Sequence, residues 1–124
     1  MFKFVNKLSC TLCKNNSNAL VVFGDNLVCR GKAGQAIIRD EPNVFGIPTK
    51  RIPSMKHGSF FSDREDEYNL VKAKLIYLRE QHKQGKIIIL PVNMIGTGLA
   101  NLENNSPKIF ELIKSFYEFA YKNK

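Results

Sequence analysis

The chain has no tryptophan, only two histidines and only three cysteines among its 124 residues. Cys10, Cys13 and Cys29 cannot all pair within one chain, so a disulfide framework is not expected, and the thiols point to a reducing compartment. Cys10-Thr11-Leu12-Cys13 has the spacing of half a zinc ribbon or of a redox pair. No second such pair follows, so the expectation is ordinary thiols near a helix or turn, with no metal and no cofactor. No apolar run approaches the roughly 20 residues of a membrane-spanning helix. The longest, Ile87 to Val92, contains Pro91, and no membrane association is expected. Lys3 and Lys7 interrupt the first residues before an apolar stretch develops, so a secretory leader is not expected and the cytoplasm is. Repeats, low-complexity tracts and linkers are absent, and residues 1–124 read as a single domain. Neither G-x-G-x-x-G nor a G-K-[ST] triplet occurs, which sets aside ordinary dinucleotide and P-loop sites.

Basic residues are plentiful: 19 Lys and Arg against 11 acids leave a net charge of +8. The charge is scattered, without a basic block. Such a field concentrates polyanions and phosphates near the surface, and it keeps a basic nucleic-acid-binding module open as an alternative. The interleaved aromatic and basic residues of an RNA platform are missing. A lysine-rich solvated surface accounts for the charge more simply.

The hydrophobic pattern alternates between strand and helix. Ala19-Leu20-Val21-Val22-Phe23 reads as a buried strand closed by Gly24-Asp25-Asn26. A short helix is expected from Lys32 to Arg39, stopping before Glu41-Pro42. Val44-Phe45-Gly46-Ile47 reads as a second strand. Ser62-Asp63-Arg64-Glu65 has capping-box spacing ahead of Tyr68, Val71, Leu75 and Leu78, so a helix is expected from about Asp63 to Lys83, with Gly85 as its exit. Lys86 to Leu90 reads as a central strand covered on both faces. Ser106-Pro107 should cap and open a last helix carrying Ile109, Ile113, Phe116 and Ala120 on its core stripe. The expected class is α/β, with ligands collecting beyond the carboxyl ends of the strands.

Two glycine-rich segments fall at such strand ends. In the first, Gly31-Lys32-Ala33-Gly34-Gln35 follows the turn Gly24-Asp25-Asn26, so unpaired backbone N–H groups at a helix mouth would face an anion. In the second, Ile95-Gly96-Thr97-Gly98-Leu99 follows the Ile87–Leu90 strand, and its amides can wrap a diphosphate from the other side. Pro53 to Phe61 is a loop with His57 as a weak acid or base candidate. Phe60 and Phe61 are expected to pack under the following helix more than to stack on a base, and His82 to be solvated.

The order strand-Gly-Asp-Asn, G-x-x-G-x-A, then L-P-x3-I-G-T-G-L, over roughly residues 19 to 115, resembles the macrodomain superfamily, which binds ADP-ribose. The resemblance is closest to the branch that includes the terminal ADP-ribose protein glycohydrolase and the DNA ADP-ribosyl glycohydrolase antitoxins. It implies a compact three-layer macrodomain-like mixed sheet with helices on both faces. It also implies an ADP-ribose cleft lined by Gly24, Asp25, Asn26, Gly31, Lys32, Gly34, Gln35, Thr49, Arg51, Ile95, Gly96, Thr97, Gly98 and Leu99. Gly46-Ile47-Pro48-Thr49-Lys50-Arg51 matches the family's I-T-K-K/R-like stretch, which makes Lys50 the implied nucleophile toward the anomeric carbon of a distal ribose. The implied partners are ADP-ribose or a related nucleotide, and an ADP-ribosylated protein or nucleic acid. The family's assisting aspartate is replaced by Ala100. A lysine without burial or a neighbouring base stays an ammonium near its reference pKa of about 10.4. Asp25 or Glu103 would substitute only if the fold brought one close. A phosphate-binding role for Lys50, or a non-catalytic reader or sequestering protein for another nucleotide signal, therefore stands beside the hydrolase reading.

Overall fold

The computed structural model describes residues 1–124. In chain order the elements are β1 (Phe2–Val5), α1 (Cys10–Asn15), β2 (Leu20–Asn26), a 3-10 helix (Gly34–Ile38), β3 (Val44–Lys50), α2 (Glu65–Lys83), β4 (Ile88–Pro91), α3 (Leu102–Asn105) and α4 (Pro107–Lys122). The strands form one sheet in the order β1-β4-β2-β3. The α/β class is as expected, but the sheet is parallel at every strand pairing, where a mixed sheet was anticipated. Each strand-to-strand connection carries a helix and returns the chain to the same end of the sheet, which forces parallel pairing. The one antiparallel contact is an isolated bridge between Lys50 and Phe60.

Side chains alternate across the central strands. Val22, Ile88 and Leu90 join the core built with α2 and α4, whereas Val21, Phe23 and Ile89 join Leu8, Cys13, Ala36 and Ile38 beneath α1 and the 3-10 helix. The result is three layers. Strands β2 and β4 are covered on both faces, which is why they read as near-continuous apolar runs. Strand β1 is too short to announce itself in the sequence. Phe2 anchors it, stacked on His82 at a 4.5 Å centroid separation and edge-on to Phe116 and Phe119. His82 is thus half-buried instead of solvated, and burial, with the nearby terminal ammonium, lowers its pKa.

Helix α4 opens at Ser106-Pro107 as expected, but both long helices are capped by groups other than their sequence signatures indicate. Helix α2 opens at Glu65, and its reciprocal cap uses Glu67, not the Ser62–Glu65 pair. The Glu67 carboxylate accepts from the Ser62 and Arg64 amides at 2.9 and 3.2 Å and from Arg51 Nε at 2.6 Å. Arg51 draws Glu67 inward, where it is 3% exposed. Ser106 does not cap α4 with its own hydroxyl. Asp63, held at φ +57°, supplies the cap from across the molecule. Its carboxylate accepts from the Lys108 and Ile109 amides, each at 3.0 Å, and from the Ser106 hydroxyl at 2.7 Å. The stripe Ile109, Ile113, Phe116 and Ala120 is buried as its spacing indicated, and Gly85, at φ +91°, lets the chain leave α2.

Cys10 and Cys13 lie on α1, and all three thiols are unpaired. Burial, then the nearby Glu41 and Cys10, pushes the Cys13 thiol up. No helix is long and apolar enough to cross a membrane.

Candidate functional site

Strands β2 and β4 are parallel neighbours whose chains leave the sheet toward opposite faces. The chain after β2 goes to the 3-10 helix, on the α1 side; the chain after β4 goes to α3 and α4 on the other. Adjacent carboxyl ends that diverge in this way open a crevice at a topological switch point. Both glycine-rich segments border it.

The backbone of these segments is poorly self-satisfied. The amides of Gly31, Lys32, Ala33, Gly34 and Gln35, and those of Gly96, Gly98, Leu99 and Ala100, donate to no acceptor in the chain. Gly31, Gly34 and Gly96 adopt φ of +87°, +57° and +88°, the left-handed region glycine tolerates. A Cβ at Gly34 or Gly98 would meet nothing within 4 Å, so both amide arrays are open to approach. The helix expected from Lys32 is only a five-residue 3-10 turn without a side-chain cap. Its dipole is short, and the attraction for an anion therefore rests on the amides as a nest.

At the crevice floor four of the anticipated residues converge. A methyl group on Gly24 would lie 3.4 Å from Gln35 Oε1, 3.6 Å from Ile95 Cβ and 3.8 Å from Thr49 Oγ1. Gln35 Oε1 accepts from the Gly24 amide at 2.9 Å, and its Nε2 donates to the Asn93 carbonyl at 3.4 Å. One side chain thus spans the exits of β2 and β4.

Other anticipated residues shape the loops. Asp25 Oδ1 accepts from the Asn26 amide at 2.7 Å and from Arg39 Nη2 at 2.6 Å, and the Arg39 and Asp25 side chains are only 14% and 8% exposed. Arg39 also donates to the carbonyls of Gly31 and Arg30 at 2.9 and 3.0 Å, which pins the first glycine segment. Asn26 closes the turn through the Val28 amide at 3.1 Å and the Arg30 carbonyl at 2.7 Å. Arg51 is consumed by Glu67, Ser62 and Gly58. Lys32 pairs with Asp40 on the exposed side, which raises its pKa through that hydrogen bond. The Thr97 hydroxyl donates to the Met94 carbonyl at 2.6 Å, whereas Leu99 is exposed.

Lys50 ends β3, beside β2. Its Nζ donates to the Ser54 carbonyl at 2.5 Å, lies 3.6 Å from Met55 Sδ and sits 4.7 Å from the Phe60 ring centroid. Burial lowers its pKa below the ordinary lysine value. No carboxylate pairs with it, and Asp25, one candidate substitute for the missing aspartate, is committed to Arg39. Ala100 is buried. Phe61 packs in the core under α2 as expected, while Phe60 turns toward Lys50, and His57 is exposed at the loop tip.

Several contributors gave no sequence signal. Arg39 carries no motif. Gly46 is required because a Cβ there would lie 2.6 Å from Asp25 Oδ2 and 3.1 Å from Phe23 Cζ. The exposed apolar side chains Leu27, Val28, Ile52, Met55 and Leu99 come from three separate loops at the carboxyl edge. Two surface hollows lie elsewhere. One, of about 690 Å³, is lined by Asp63, Tyr68 and Lys108; the other, of about 480 Å³, is lined by Cys13, Glu41 and Lys86 at the amino ends of the strands.

A family model described as "Family of unknown function (DUF7831)" matches residues 3–116. The chain belongs to this family. The matched span runs from within β1 into α4 and so includes β2, β3 and β4 whole and both amide arrays. No curated protein and no solved structure matches the chain.

Proposed function

We propose that the protein is a macrodomain-like binder of ADP-ribose or a closely related nucleotide, seated in the crevice between the exits of β2 and β4. The observation that carries this reading is the pair of unsatisfied amide arrays, residues 31–35 and residues 96 and 98–100, flanking the split between two parallel strands. Converging N–H groups stabilise a diphosphate without a dedicated cation. The exposed apolar side chains of the surrounding loops offer contact surface for a base or ribose. Free thiols fit a reducing compartment, and cytoplasmic placement belongs to the same proposal.

The catalytic half of the proposal rests on Lys50. Desolvation eases loss of its proton, which favours a nucleophilic amine at the reactive end of the cleft. The absence of a carboxylate partner favours the second reading, a non-catalytic reader of the same ligand. Calorimetry with ADP-ribose tests binding: absence of heat and of thermal stabilisation at millimolar ligand would remove the proposal. Release of ADP-ribose from a modified protein or nucleic acid, lost in Lys50→Ala with the fold intact, separates hydrolase from reader.

A further inference from the structure

Gln35 is the one side chain that bonds to the exits of both central strands, accepting from the Gly24 amide at 2.9 Å and donating to the Asn93 carbonyl at 3.4 Å. A carboxamide accepts from an N–H through its oxygen and donates to a C=O through its nitrogen without carrying charge. Its own backbone amide belongs to the first unsatisfied array, and the Asn93 carbonyl that its side chain reaches lies three residues before the second, so the side chain ties the two segments together.

We propose that Gln35 is the positioning residue of the crevice: its amide clamps the β2 exit to the β4 exit and sets the spacing of the two arrays, and its neutrality is what admits a diphosphate between them. This inference rests on the nucleotide-binding reading above. A glutamate of nearly the same shape would still accept from Gly24. It would also turn a second acceptor toward the Asn93 carbonyl and place a negative charge beside the phosphates, in a partly desolvated site where charge repulsion is weakly screened. Alanine would remove both bonds and leave the half-buried Gly24 amide without a partner.

The full chain, Gln35→Ala and Gln35→Glu are compared by two measurements: amide hydrogen exchange without ligand, and calorimetry with ADP-ribose at low and high salt. Gln35→Ala should accelerate exchange at Gly24 tenfold or more and weaken ADP-ribose binding about tenfold. Gln35→Glu should keep Gly24 protected yet bind ADP-ribose at least tenfold more weakly than Gln35→Ala, with the gap narrowing as salt rises. A merely structural tie predicts the opposite order, because glutamate retains one of the two bonds. Equal or better binding by Gln35→Glu than by Gln35→Ala overturns the charge requirement. Unchanged Gly24 exchange in Gln35→Ala overturns the clamp whatever the ligand. If exchange changes but the unaltered chain binds no ADP-ribose, the clamp is supported and the nucleotide reading is what falls.

Discussion

Gly96 and Gly98 are two residues apart in one turn yet place opposite demands on the chain. At Gly96, φ is +88° and an added Cβ would collide with the buried Leu102 side chain. Gly96→Ala should cost about 2 to 4 kcal/mol from left-handed strain and overpacking, seen as a clear fall in Tm by thermal denaturation. Gly98 has open space around it and an ordinary φ, so Gly98→Ala should change stability by less than about 0.5 kcal/mol. Any loss of ADP-ribose affinity in that variant would then report on ligand approach. Lys50 carries a pH prediction of definite sign. Its folded pKa lies below the ordinary value of 10.5, so the fold disfavours its protonated form, and that penalty is relieved as pH rises through the folded pKa toward 10.5. Lys50→Met should therefore leave Tm at pH 7 unchanged or raised while abolishing any ADP-ribose release. A drop of several degrees would show that the bond to the Ser54 carbonyl outweighs desolvation.

Between elements, the strongest couplings are made by charged groups borrowed from a distance. Asp63 caps α4 from the segment before α2. Burial pushes its carboxyl up, but the bonds donated by Lys108, Ser106 and Ile109 together outweigh that and hold it below the usual value of 3.8. With the folded pKa the lower one, its contribution is complete above the unfolded value and is lost as pH falls through the folded pKa. Acid unfolding should steepen below about pH 4, and Asp63→Ala, which removes the cap, should cost roughly 1 to 2 kcal/mol at pH 7 and flatten that acid limb. Urea titrations at pH 3 and pH 7 read both effects. Arg39 does the same for the first glycine segment: Arg39→Ala strands the Asp25 carboxylate, which is 8% exposed, and should cost about 3 kcal/mol. Loosening of residues 27–34 in hydrogen exchange would accompany the loss. Ser62-x-x-Glu65 and Ser106-Pro107 were legible as helix starts to within two residues. The groups that perform the capping were not: Asp63 because the groups it caps lie 43 to 46 residues away, and Glu67 because the Arg51 that draws it inward lies 16 residues away.

For the whole molecule, the net charge of +8 makes two ligand classes separable by salt. A diphosphate held by amide arrays engages few charges, so its affinity should fall only modestly between 50 and 200 mM salt. A nucleic acid contacting six or more phosphates would lose on the order of a thousandfold. Saturation with ADP-ribose at a hundred times Kd should stabilise the fold by about 2.7 kcal/mol, a shift of several degrees in a thermal melt.

The sequence by itself determined the α/β class, the central strands β2 and β4, the core stripe of α4 and the two glycine-rich segments, because each is written in local periodicity and turn chemistry. The family resemblance also named Gly24, Gln35, Thr49 and Ile95 as candidate site residues. Only the tertiary structure decided that these four meet at one point, that Asp25, Asn26 and Arg51 are spent on holding loops, and that Lys50 faces a carbonyl, a thioether and a ring without a carboxylate. The physical reason is that a backbone amide advertises its hydrogen bond nowhere in the sequence. Whether it is free to take a phosphate depends on which distant acceptor the fold brings to it, and at residues 31–35 and 96–100 the fold brings none apart from those made by Thr97.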